Sequence, residues 1–200
     1  MKTYFSIADF NVSGKTVLVR TGFDVPIENG KIKDITRIRA NLPTIEYLLK
    51  ENAKVILISH LGRPKGKFDS AFSLKPAYDE LKKIMKKEEG IYFLPDCKGA
   101  KVFIERIKPG ELVLLENLRF YNEEEENSRA FAQELASYAD YYVDDAFGAA
   151  HRAHASIDAI TSYIPSAIGL LMEQEIRELS NSSWPLNSWF KICDLISSNF

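Results

Sequence analysis

Arginines and histidines recur in a few short polar motifs, each placed where a buried-looking apolar run ends. The first motif, RTGFDVP, opens on Arg20 and carries Asp24. The second, SHLGRP, holds His60 and Arg63, and the third, LENLRF, holds Arg119 between apolar Leu118 and Phe120. The fourth, DDAFGAAHRAHAS, contains the densest cluster, His151, Arg152 and His154. A further segment, ITRIRA, adds Arg37 and Arg39. The planar fork of an arginine makes two parallel hydrogen bonds to a carboxylate or phosphate. Each charge-assisted bond contributes about 1.5–3 kcal/mol, so several together would give a small anion micromolar affinity. Basic loops at several strand ends imply one shared site for a small phosphorylated, carboxylate-bearing ligand. The competing readings are local. Arg20 could pair with a nearby carboxylate, and SHLGRP could be a structural Gly-Pro turn, whereas the apolar flanks of Arg119 favour inward placement.

Other chemistries fit the residues less well. His151 and His154 are spaced to share a helix face as metal ligands, but Arg152 lies between them and no cysteine or acidic partner has ligand spacing. No serine occupies a G-x-S-x-G elbow, and neither Cys97 nor Cys193 has an activating context. The acidic run Glu123–Glu126 reads as a solvated helix start that complements the helix dipole. Neither G-x-x-x-x-G-K-[ST] nor G-x-G-x-x-G occurs, and GRPKGK, Gly62 to Lys67, has the wrong glycine spacing.

Elements able to position the motifs follow from the hydrophobic pattern. Nearly continuous apolar runs at Thr16–Arg20, Lys54–Ser59, Ile91–Leu94, Leu112–Glu116 and Tyr141–Asp144 suit strands buried on both faces of a parallel sheet. Helical periodicity separates them. Ile38, Leu42, Ile45 and Leu49 form one stripe, with Pro43 expected to kink that helix or to sit in its first turn. Tyr78, Leu81, Ile84 and Met85 form a second stripe, and Phe131, Leu135 and Tyr138 a third after the acidic turn. A last helix is expected from Ala167 to about Leu179. Strand–helix alternation predicts an α/β, doubly wound, mostly parallel sheet, in which ligands bind beyond the carboxyl ends of the strands.

Bulk properties exclude several classes. With 27% charged residues but a net charge of only -2, the chain has no global basic field to attract nucleic acid or an anionic membrane. Nor are aromatic residues interleaved with the basic ones. No run approaches the roughly 18 apolar residues of a membrane span, and MKTYFSIADF lacks the apolar core of a signal peptide. Two cysteines are too few for a disulfide framework. The expectation is a cytoplasmic monomer. Asn181–Phe200 differs from the rest: it holds both tryptophans and only Lys191 and Asp194 are charged, which suggests a segment of different origin or an irregular arm.

Taken in order and spacing, VLVR with its FxVP turn, SHLGRP, LENLRF and DAFGAAHRAHAS closely resemble the N-terminal half of phosphoglycerate kinases. The likeness runs from about Asp9 through ITSYIPSAIGLLMEQEI to roughly Leu179. The resemblance implies residues 1–180 as a Rossmann-like lobe that binds 3-phosphoglycerate or 1,3-bisphosphoglycerate, with 181–200 as a tail outside the family pattern. It implies that Mg-ATP or Mg-ADP binds on a C-terminal lobe that this chain lacks, and that hinge closure joins the lobes for in-line phosphoryl transfer. By the same resemblance, Arg20, Arg37, His60, Arg63, Arg119, His151, Arg152 and His154 form the substrate patch. Arg37 would neutralise the transferring phosphoryl group and the attacking carboxylate. Arg63, Arg119 and Arg152 would grip the substrate phosphate, with His60 a nearby contact.

Departures from the family pattern qualify that expectation. The family's first loop reads R-x-D-F-N-V-P, where this chain reads R-T-G-F-D-V-P. Gly22 stands where an aspartate would orient the substrate hydroxyl. Asp24 stands where a neutral asparagine is usual and places a negative group beside an anionic substrate. Losing one contact and adding a repulsive one would cost about 2–4 kcal/mol of binding. The 200 residues by themselves are expected to show no kinase activity. A phosphoglycerate-binding regulatory module and a non-functional copy are the alternative roles.

Overall fold

The computed structural model describes residues 4–28 and 30–181. The expected break after residue 180 therefore falls outside the described residues, except for Asn181, which closes the last helix. Six strands form one sheet in the order β5-β6-β4-β1-β7-β8. They are β1 Thr16–Arg20, β4 Lys54–Ile58, β5 Ile91–Leu94, β6 Leu112–Leu115, β7 Tyr141–Asp144 and β8 Ser166–Ile168, and every neighbouring pair is parallel. A separate two-stranded hairpin pairs β2 Ile27–Glu28 with β3 Lys31–Ile32.

Both faces of the sheet are covered, which explains the unbroken apolar strands. Val17, Val19, Val55, Leu57, Leu112 and Leu114 point into one core, against Ile38, Ile45 and Leu48 of helix α1 (Thr36–Lys50) and Leu81 of α2 (Lys75–Met85). Leu18, Ile56, Ile58, Val113 and Leu115 alternate into the other core. There they meet Ile104 of α3 (Lys101–Ile104) and Phe131 and Leu135 of α5 (Arg129–Ala136). Period-2 alternation within an all-apolar run is the signature of a strand buried on both faces. The expected doubly wound α/β fold is thus observed.

Four local expectations change. Helix α1 starts at Thr36 and runs through Pro43, so the proline sits in mid-helix rather than in the first turn. Ala167 is not helical. Ser166–Ile168 pairs with Tyr142–Asp144 as an edge strand, and the helix α6 begins at Leu170 and ends at Asn181. Partners from other elements set that start: Gly169 N–H donates to Asp144 O (2.9 Å), Leu170 N–H to Thr44 Oγ1 (2.9 Å) and Met172 N–H to Asp145 Oδ1 (3.1 Å). The acidic turn is a separate short helix, α4 (Asn122–Glu125), divided from α5 by Asn127, whose φ is 52°. Finally, Glu124 in that turn is fully buried rather than solvated.

The strand order places the site. From β1 the chain winds through α1 to β4 on one side, and later crosses back to β7 on the other. Loops leaving β1 and β7 therefore diverge and open a crevice at the carboxyl ends, where ligands of open α/β sheets bind. No helix among the described residues is long and apolar enough to cross a membrane.

Candidate functional site

At this switch point lies an open cavity of about 530 Å³, lined by residues from five segments, one of them α6 through Leu171 and Glu175. Gly22 and Asp24 come from the loop after β1, Arg37 and Asn41 from α1, His60 from the loop after β4, and Arg152 from the loop after β7. Asp145, the residue following β7, lies in the same wall. The structure thus gathers Asp24, Arg37, His60 and Arg152 of the expected site around one cavity.

Arg20 has a different place. It is fully buried at the end of β1 and is not among the cavity-lining residues. Its Nε donates to Ser156 Oγ (3.0 Å), Nη1 to the Thr21 carbonyl (2.7 Å) and Nη2 to His60 Nδ1 (2.6 Å). A guanidinium only donates, so His60 Nδ1 must accept and the ring proton must sit on Nε2. Burial, then the positive charges of Arg20, Arg119, Arg152 and His154, holds the His60 pKa far below its ordinary value. His60 is therefore a neutral imidazole with one N–H to offer, on the side where Asp24 Oδ2 lies 3.7 Å away.

Asp24 is tied into the same wall. Its Oδ1 accepts from Gly62 N–H (2.9 Å), and Oδ2 stands 3.7 Å from both Arg37 Nη1 and His60 Nε2. Arg37 Nη1 also donates to the Asp24 carbonyl (2.6 Å). Asp24 thereby engages two groups that an incoming anion would use. Within 4 Å, a Cβ at Gly22 would meet only Asn41 Nδ2, at 3.7 Å, so a Cβ fits there without displacing backbone.

Arg119 and Arg152 carry unmet hydrogen-bonding capacity. Arg119 is buried, and its Nη1 donates to the Gly62 carbonyl (2.8 Å). Its Nε lies 3.2 Å from Glu125 Oε1 without hydrogen-bond geometry, and Nη2 is buried without a partner. Arg152 Nε is likewise buried and unbonded. Buried donors lacking acceptors cost about 1–3 kcal/mol each. Arg152 lines the cavity and Arg119 does not, but their charges lie close enough to act on each other, so an anion drawn between them would meet donors now unmatched. Arg63 and His151 are exposed, whereas His154 is largely covered, its Nδ1 3.7 Å from Glu124 Oε1.

Glu124 and Asp145 were not legible as site neighbours. No local sequence signal separates Glu124 from its neighbours, because Phe120 and Glu124 lie on separate short turns with an extended Tyr121 between them. Cys97 is fully buried, and burial pushes its thiol pKa well above the ordinary value.

A family profile described as Phosphoglycerate kinase matches residues 7–185. The chain belongs to the phosphoglycerate kinase family. Its curated relatives include the phosphoglycerate kinases of Moorella thermoacetica, 50% identical over 88% of this chain, and Dictyoglomus turgidum, 51% identical over 88%. These alignments cover 45% and 44% of the two relatives, so the chain spans about half the length of the phosphoglycerate kinases it matches. Among solved structures, phosphoglycerate kinase from Coxiella burnetii superposes with a TM-score of 0.80 at 35% identity, covering 88% of this chain and 44% of that one. The Pyrococcus horikoshii phosphoglycerate kinase gives 0.81 at 32% identity, over 90% and 47%. Among the described residues, no group of three or more His, Cys, Asp or Glu side chains could hold a metal ion.

Proposed function

We propose that this chain is the N-terminal, substrate-binding lobe of a phosphoglycerate kinase, and that its cleft holds 3-phosphoglycerate or 1,3-bisphosphoglycerate. The observation that carries this reading is the pair of buried, unbonded guanidinium donors on Arg119 and Arg152 beside a neutral His60. In the proposed complex Arg63, Arg119 and Arg152 receive the phosphate, and His60 Nε2–H donates to the substrate. Arg20 acts from behind by holding the His60 ring, and His151 and His154 border the phosphate end.

Phosphoryl transfer asks little covalent chemistry of a protein, so positioning and charge neutralisation carry most of the catalysis. A carboxylate approaching a phosphoryl group brings like charges together, and a fixed cation offsets the repulsion. Arg37 is the cation proposed for that role. It is exposed at the mouth of the cleft, at the first turn of α1, and its present partner is Asp24. The reaction is reversible transfer between 1,3-bisphosphoglycerate and ADP, with Mg-ADP or Mg-ATP presented by a second, nucleotide-binding lobe. Residues 4–181 alone are accordingly expected to bind the acid without turnover.

Titration calorimetry of the 200-residue chain against 3-phosphoglycerate and, separately, MgADP tests this. Heat from phosphoglycerate alone is the expected result. No binding of 3-phosphoglycerate at millimolar concentration would overturn the reading, and binding of MgADP would overturn the assignment of the lobe. Asp24→Asn should tighten phosphoglycerate binding about tenfold, because it removes a competing carboxylate worth roughly 1–2 kcal/mol of repulsion. The amide oxygen can still accept from Gly62 N–H. Equal affinity in the same calorimetric titration would show that Asp24 does not face the bound anion.

A further inference from the structure

A buried chain of polar contacts runs behind the cleft and ends on His60. Glu124, in α4, is fully buried; both of its carboxylate oxygens accept from Ser156, and Oε1 also lies 3.7 Å from His154 Nδ1. Oε2 accepts from Ser156 N–H (3.0 Å) and Oε1 from Ser156 Oγ–H (2.6 Å). The backbone reinforces the link, since Ala155 N–H donates to the Glu124 carbonyl (2.9 Å). With its proton given to Glu124, the Ser156 oxygen presents a lone pair to Arg20 Nε at 3.0 Å. Arg20 in turn donates to His60 Nδ1 at 2.6 Å. Four residues from four chain segments thus stand in series, all buried, with a carboxylate at one end and a cleft-facing imidazole at the other.

The direction of each bond is forced. Arginine has no acceptor, so the proton on every link from Arg20 points outward to Ser156 and His60. A carboxylate has no donor, so both links from Ser156 point to Glu124. Only a glutamate satisfies both Ser156 donors, because a glutamine offers one acceptor oxygen and one amino group. With Asp144, Glu124 also supplies a negative charge close enough to act on the buried Arg20 guanidinium.

We infer that Glu124 is a positioning residue for the cleft, which acts through Ser156 and Arg20 to hold the His60 ring in one orientation and one tautomer. The part of this inference that concerns ligand affinity rests on the function proposed above; the part that concerns His60 does not. Nitrogen-15 NMR of the ligand-free 200-residue chain reads the His60 tautomer directly. The unsubstituted protein should show a single Nε2–H form between pH 5 and 8. In Glu124→Gln the two ring nitrogens should move toward the averaged signals of an unrestrained imidazole, while circular dichroism shows the fold retained. Ser156→Ala breaks the series at its middle, keeps the Glu124 charge, and should move the same signals if Glu124→Gln does not fold.

A folded variant of either kind with unchanged His60 signals overturns the inference, even if its melting temperature falls, because that is the result of a merely structural role. Affinity separates the two readings. Glu124→Gln should weaken 3-phosphoglycerate by about tenfold or more, the scale of misplacing a binding group by an ångström. Shifted His60 signals with unchanged affinity would remove the functional part of the inference. Failure of the unsubstituted chain to bind 3-phosphoglycerate, with His60 still responding to Glu124→Gln, would overturn the proposed function and leave the positioning role supported.

Discussion

Replacing Arg119 by lysine is expected to weaken 3-phosphoglycerate binding by about 100-fold, the equivalent of roughly 2.7 kcal/mol. The arginine holds the Gly62 carbonyl with Nη1 and keeps Nη2 buried and unbonded, so one rigid plane is anchored by protein and free for an anion at once. Lysine keeps the charge but carries it as a point on a flexible stem, and it cannot reproduce the fork. Losing one or two charge-assisted bonds of about 1.5–3 kcal/mol each gives the stated magnitude. Much of the apolar stem survives in lysine, so thermal stability should fall far less than affinity. Calorimetric titration beside a melting curve checks both. Affinity within about threefold of the unsubstituted chain would mean that the anion is not held by Arg119.

The second large effect concerns stability and its dependence on pH. Asp145 is buried in the cleft wall, one oxygen accepting from Met172 N–H (3.1 Å) and the other without a hydrogen-bond partner. Burial is the main cause that raises its pKa to about 7, partly opposed by hydrogen bonds from Thr44 and the start of α6. In the unfolded chain the same carboxyl ionises near ~3.9. Below about pH 4 the group is neutral in both states and costs nothing. As pH rises from about 4 to about 7, the unfolded chain loses its proton freely while the folded one resists, so stability falls. Above that window the full cost remains, of the order of 3–4 kcal/mol.

Asp145→Asn removes this titration and keeps an acceptor for Met172 N–H. At pH 8 the variant should melt about 6–16 °C above the unsubstituted protein, given roughly 2–4 °C per kcal/mol for a domain of this size. At pH 4.5 the advantage should shrink to about a quarter of that. Melting curves at the two pH values decide it, because an equal difference at both would place the effect elsewhere than in ionisation. Asp144, raised to about 6 chiefly by burial, titrates in both proteins and largely cancels in the comparison.

Much of the sheet was legible in the sequence. Its five longer strands are apolar runs, and they read as such because each is sandwiched between two cores. The sixth, Ser166–Ile168, was not separable from the following helix. Its three residues carry no period of their own, and the helix start behind them depends on Thr44 and Asp145, which lie more than twenty residues away in the chain. Pro43 left the start of α1 open in the same way, since the helix around it is held by packing of Ile38, Ile45 and Leu48 on the sheet.

The basic motifs at the ends of strands, and through them membership of the phosphoglycerate kinase family, were determined by residue type and spacing alone. Those features survive because strand ends and loop chemistry are local. Which way each charge faces was decided only by the tertiary structure. Arg20 and Arg119 are both buried arginines in polar motifs, yet Arg20 has all three nitrogens bonded by protein while Arg119 keeps donors unmet. Glu124 is one of four consecutive glutamates, and only the loop that brings Ser156 onto it makes it internal. A side chain's type sets which bonds it can make, but which partners are within 3 Å is a property of elements that meet from distant parts of the chain.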